Sequence, residues 1–105
     1  MNAETAEPIY SIYQDEDDFR ELLEEFYTSA NERRTTLQQS LATRQLGTIR
    51  IHAHQLKGAG GGYGFEGLSQ IASELEVACQ QPQPDFDEIC RRLDQVVDYL
   101  GRIRI

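Results

Sequence analysis

Ile49-Arg50-Ile51-His52-Ala53-His54-Gln55-Leu56-Lys57-Gly58-Ala59-Gly60-Gly61-Gly62-Tyr63-Gly64-Phe65-Glu66-Gly67 is the stretch whose reading decides the fold. It contains both histidines, the one lysine and six of the eight glycines. Advanced at about 100° per residue, it puts Ile49, Ala53, Leu56, Gly60 and Tyr63 within roughly 40° of one line. That is the buried stripe of a helix. His54 falls roughly 140° from it, on the solvent side. Gly58 and Gly61 follow His54 at i+4 and i+7, and Lys57 at i+3, so the ring has a cation beside it and little bulk around it.

Each glycine inside a helix costs about 1 kcal/mol relative to alanine, so the cluster needs a reason. One reading ends the helix near Gly60 and runs a loop to Phe65. The other is clearance: bare backbone beside a reactive side chain admits another protein, while Gly60 and Gly64 on the inner side permit close helix packing.

The joint pattern His54-Gln55-Leu56-Lys57-Gly58, with Ala53 before it, Gly64 ten residues after His54 and Leu68 beyond, resembles the signature of histidine-containing phosphotransfer (HPt) domains. The run from Lys57 through Phe65 to Leu75-Glu76 is also similar to the phosphoacceptor domain of chemotaxis kinases. The resemblance implies that His54 carries a phosphoryl group. It implies that Lys57 balances the charge of that group in transit. It further suggests that Glu76 accepts a hydrogen bond from Nδ1 of His54 and fixes the tautomer; a plain surface carboxylate is the alternative. Ser73 stands where the chemotaxis kinases carry a second histidine, so their full network is not reproduced.

Other chemistries fit poorly. On a helix His52 and His54 diverge by roughly 160°, so they cannot chelate one ion; a metal-binding helix spaces its histidines at i and i+4. His52 reads as a structural histidine with a satisfied hydrogen bond. Gly62-Tyr63-Gly64-Phe65-Glu66-Gly67 matches G-x-G-x-x-G only formally, with no preceding strand. There is no G-K-[ST], so the chain has no recognisable ATP site and is not expected to be a kinase. What remains is covalent catalysis by a neutral imidazole nitrogen, which is available because imidazoles titrate near neutral pH.

The chain has 105 residues, the size of one domain with a single modest core. Its net charge of −8 is uneven. Residues 1–26 carry nine acids and one arginine, whereas residues 27–57 carry one acid against four arginines and a lysine. The acidic balance disfavours nucleic acid as a partner. No apolar run is long enough to span a bilayer and no export signal is evident, which points to the cytoplasm. Cys79 and Cys90 are read as small core residues rather than a disulfide.

Along the chain, residues 1–14 are expected to form a loose N-terminal segment ending in a short helix on the bundle, and residues 15–105 the bundle itself. Asp15 or Asp17 is an N-cap candidate for a helix bearing Phe19, Leu22, Leu23, Phe26 and Tyr27 on one face. Ser29 or Asn31 could cap a second helix to about Arg44, or the first could continue through them. Thr48 is an N-cap candidate for the central helix, unless that helix starts near Leu46. Phe65 to about Gln80 carries Leu68, Ile71, Ala72, Leu75 and Cys79 on one face. Pro82 and Pro84 then break the chain, and Asp85 caps a last helix with Phe86, Ile89, Leu93, Val96 or Val97, Leu100 and Ile103. The fold expected is all-α: an antiparallel up-down four-helix bundle with a short extra N-terminal helix.

The function expected is a phosphorelay intermediate. His54 takes phosphate from an aspartyl phosphate of a response-regulator receiver, or from a sensor or hybrid histidine kinase, and passes it to another receiver. Mg²⁺ is expected in the receiver and no cofactor in this chain. The docking surface is expected around Arg50, Ile51, Gln55, Gly58 and Gly61, on a monomer. The alternative is a helical adaptor that binds receiver or kinase domains without carrying phosphate.

Overall fold

The computed structural model describes residues 7–105. These form four helices: α1 (Arg20–Ala42), α2 (Leu46–Gly62), α3 (Glu66–Cys79) and α4 (Phe86–Arg102). Each packs against the next, and α4 packs back on α1. The core lies between them, with Leu37, Ile49, Leu56, Leu68, Leu75, Ile89, Leu93 and Val96 all fully buried. Among the described residues there is no strand, only one parallel bridge between Ile9 and Ile103.

Among the described residues no helix precedes residue 17, against the short N-terminal helix expected. Residues 17–19 make a single 3-10 turn that runs directly into α1. Before it, the chain is a strap that lies across the bundle and makes one turn at residues 12–15. Ile9 exchanges backbone bonds with the end of α4, its N–H donating to Arg102 (2.8 Å) and its carbonyl accepting from Arg104 N–H (2.9 Å). Farther on, Ile12 N–H donates to the Gly64 carbonyl (3.1 Å) and the Ser11 hydroxyl to the Tyr63 carbonyl (2.6 Å). These partners lie outside the strap and tie it to the bundle, while its own turn is closed by Gln14 N–H donating to the Ser11 carbonyl (3.1 Å) and Tyr13 N–H to the Ser11 hydroxyl (2.9 Å). The first part of the expected N-terminal segment, residues 1–6, lies outside the described residues.

Two further expectations change. α1 is one continuous helix, and neither Ser29 nor Asn31 caps anything. The hydroxyls of Thr28, Ser29 and Thr35 donate to carbonyls one turn back, at Glu24, Phe26 and Asn31, so they ride inside the helix instead of starting one. Neither Asp15 nor Asp17 supplies a cap to α1, and its inner face is narrower than expected: Leu23 and Phe26 are buried, while Leu22 and Tyr27 face solvent. α2 begins at Leu46 after Gln45, with Thr48 already inside it. Asp85 does cap α4, its side chain accepting from Asp87 and Glu88 N–H.

The glycines explain how α2 meets α3. At Gly60 an added Cβ would stand 2.6 Å from the Ser69 nitrogen and 2.9 Å from the Phe65 oxygen, so only glycine lets the two backbones approach so closely. The Ser69 hydroxyl bonds the Lys57 carbonyl and fastens the same contact. α2 runs through Gly60 to Gly62, which excludes the early-ending reading. Gly64 then turns the chain with a φ of 82°, under the strap residues Ser11, Ile12 and Tyr13.

Candidate functional site

α2 buries Ile49, Ala53, Leu56 and Gly60, and this register turns His54 outward. The His54 side chain is 65% exposed. Its Nδ1 lies 2.7 Å from Oε2 of Glu76, which reaches across from α3. The other oxygen of that carboxylate, Oε1, accepts from Lys57 Nζ, also at 2.7 Å. Glu76 is therefore the centre of the cluster and is itself only 6% exposed.

A buried carboxylate is costly unless its charge is matched and its oxygens are bonded. Here one oxygen faces an ammonium and the other an imidazole. The hydrogen bond from Lys57 holds the Glu76 carboxyl below its ordinary value; burial pushes the other way, and the His54 bond adds to the lowering. An ionised Glu76 accepts only, so Nδ1 of His54 must carry the proton it shares. That leaves the lone pair on Nε2, the atom pointing away from Glu76 across the ring. Among the described residues Nε2 has no hydrogen-bond partner, so the ring is oriented and its nucleophilic nitrogen is unengaged.

The strip beside it is bare. A Cβ added at Gly58, Gly61 or Gly62 would meet nothing within 4 Å. Ile51 is 49% exposed on the same side, and Arg50 and Gln55 are exposed as well. The residues expected for docking thus share one open surface with His54, and Lys57, 39% exposed in its side chain, stands at its α3 edge.

His52 points the other way, toward α1. Arg33 Nη1 donates to its Nδ1 (2.8 Å) and to Gln55 Oε1 (2.5 Å). Burial first, and the Arg33 charge second, lower the His52 pKa, which suits a neutral ring accepting at Nδ1. Arg33 is the residue that sequence reasoning missed. Its partners are 19 and 22 positions away on another helix, and no local pattern records such a contact. Among the described residues, no group of three or more His, Cys, Asp or Glu side chains could hold a metal ion, and no helix is long and apolar enough to cross a membrane. Cys79 and Cys90 are free thiols, each half-buried.

The chain matches the family model of the Hpt domain over residues 21–103, nearly the whole bundle, and it belongs to that family. It is a helical phosphotransfer module of phosphorelay signalling, a class that exchanges phosphate with response regulators and histidine kinases and has no ATP site of its own. Comparison with curated proteins and with solved structures returned no match.

Proposed function

We propose that His54 is the phosphoacceptor and that this chain relays phosphate between receiver domains. The Nε2 lone pair attacks the phosphorus of an aspartyl phosphate on a receiver. A P–N bond forms, the P–O bond to the aspartyl carboxylate breaks, and that carboxylate leaves with the bonding electrons. Nδ1 keeps its proton, and Glu76 stabilises the positive charge that develops on the ring. Lys57 sits one helical turn away, where its ammonium can balance charge on the moving phosphoryl group. Such transfer is mostly positioning and charge stabilisation, so a chain without a catalytic pocket can take part in it.

The observation that carries this reading is the oriented imidazole: one nitrogen tied to a buried carboxylate, the other free above bare helix backbone. The partner supplies Mg²⁺ and the acidic phosphorylation pocket. A histidine kinase can stand in for the donating receiver, and the setting is the cytoplasm, with the chain as a monomer. Incubation with receivers charged by acetyl phosphate tests the proposal. Acid-labile, alkali-stable label on this chain, abolished by His54→Gln, is the expected result. Absence of label from every receiver, and from phosphoramidate, leaves the non-phosphorylated adaptor.

A further inference from the structure

Among the described residues, four of the nine arginines have a carboxylate of their own. Arg20 pairs with Asp17, Arg91 with Glu88, Arg92 with Glu74 and Glu88, and Arg102 with Asp98. Arg33 does not. Its two acceptors, His52 Nδ1 and Gln55 Oε1, are neutral, and among the described residues no carboxylate lies within 4.0 Å of it. Arg50 is likewise without one. Arg34, Arg44 and Arg104 also lack one, but of these five arginines Arg33 and Arg50 are the two beside the His54 strip: Arg33 grips Gln55 and Arg50 lies on α2 itself.

The two cations lie on opposite sides of the bare strip. Around α2, Arg50 falls roughly 40° to one side of His54, whereas Gln55, which Arg33 grips, falls roughly 100° to the other. Ile51, Gly58 and Gly62 occupy the arc between His54 and Gln55, and the two glycines leave it flat. An interhelical strut alone needs only a donor to His52 and Gln55. A half-buried guanidinium adds a charge that no carboxylate among the described residues matches.

We infer that Arg33, reaching from α1, is a partner-docking residue that with Arg50 brackets the His54 strip, and that the surface it meets carries carboxylates on the rim around its phosphoryl site. The inference rests on the phosphoacceptor reading of His54. It deepens that reading by adding a second helix to the docking surface and by stating the charge of the partner's rim. Arg33 touches neither the phosphate nor the His54 ring in this arrangement: it positions the partner.

The test uses the full chain and the fastest-labelling receiver of a panel charged with acetyl phosphate. Arg33→Gln keeps an amide donor for His52 and removes the charge. Its KM for the receiver is expected to rise about fivefold with the maximal transfer rate held, because a rim charge acts on encounter more than on chemistry. The salt dependence of kcat/KM is expected to flatten in the same variant, and Arg33→Lys to recover most of the loss. A purely structural Arg33 would lower the melting temperature and leave the salt dependence unchanged; that result, or a KM equal to wild type, overturns the inference. Labelling of His54 by phosphoramidate, a small donor that needs no docking, separates the two ideas. Label from phosphoramidate with no effect of Arg33→Gln sinks the docking role alone, and label from neither donor sinks both.

Discussion

Glu76 is the single residue on which the proposed chemistry turns. It has two donors and almost no water, so the orientation of the His54 ring depends on its charge. Glu76→Gln keeps the shape and removes that charge. A hydrogen bond to a charged group is worth about 1.5–3 kcal/mol, which at 1.36 kcal/mol per decade is a ten- to hundredfold slowing of phosphoryl transfer. The expected loss is in the maximal rate rather than in KM, measurable by rapid quench with a charged receiver; a rate within twofold of wild type would remove Glu76 from the mechanism. The same carboxylate links stability to pH. Its pKa is lowered in the fold, so the unfolded chain takes up the proton first as pH falls. Its contribution is therefore complete above its ordinary value of 4.5 and disappears as pH drops through the lowered native value. Urea titrations across that range are expected to show a flatter pH dependence for Glu76→Gln. His52 acts in the same direction in a higher window: its pKa is also lowered, so the stability it contributes is complete above about 6.5 and lost on acidification below it. His54 and Lys57 could be picked out from spacing, and Glu76 from resemblance. Its burial could not, because a glutamate three residues past Ser73 on an amphipathic helix reads equally well as solvent-facing.

At the scale of the element, α2 contains two kinds of glycine that look alike in the sequence. Gly58 faces open space, whereas Gly60 faces the α3 backbone. Alanine at Gly58 gains helix propensity with nothing to collide with, so Gly58→Ala is expected to stabilise the protein by up to about 1 kcal/mol. The new methyl would stand on the proposed docking strip, so transfer from a receiver is expected to slow while the protein becomes harder to unfold. Gly60→Ala gains the same propensity but drives Cβ to 2.6 Å from the Ser69 nitrogen, and backbone cannot step aside as a side-chain tip can. Overpacking of this kind costs about 1–3 kcal/mol, and the net effect is destabilising. Chemical denaturation of the two variants checks the pair; equal effects on stability would mean that α2 and α3 are not packed as described. The same contrast explains what was legible beforehand. Apolar spacing marked α2, α3 and α4 closely, and Asp85 announced its own cap because a local side chain-to-backbone bond is written in local sequence. The join within α1 was not legible, since Thr28, Ser29 and Thr35 satisfy themselves inside a helix with the same hydroxyls that would otherwise begin one. Contacts such as Arg33 with His52, or Gly60 with Ser69, depend on which helices become neighbours, which no single segment states.

For the molecule as a whole, the strap decides whether the family match over residues 21–103 is also the folding unit. A boundary after residue 14, as the composition suggests, would separate the strap from two distant places at once. One is the end of α4, held through Ile9; the other is the α2–α3 turn, held through Ser11 and Ile12. Ile9 also packs on the core, and Tyr13 stacks on Phe19 with centroids 4.3 Å apart. Three backbone bonds, one hydroxyl bond and the bond from Arg102 Nε to the Glu7 carbonyl would be lost between strap and helices, each worth about 1 kcal/mol net. The ordering of the strap opposes them, since fixing a residue's backbone costs about 1–2 kcal/mol, while the burial of Ile9 and Tyr13 works in its favour. The balance is expected to leave residues 15–105 folded but less stable by about 2 kcal/mol, seen as a lower urea midpoint with a slightly reduced m-value. Gly64 gives the truncation an internal comparison. Its φ of 82° and the strap side chains above it both exclude a Cβ, so in the full chain Gly64→Ala meets strain and collision together, whereas in the truncated chain only the strain remains. The destabilisation by Gly64→Ala is therefore expected to be smaller in residues 15–105 than in the full chain. Equal penalties in the two backgrounds would mean that the strap does not press on the turn, and the bundle would then owe its closure to the four helices alone.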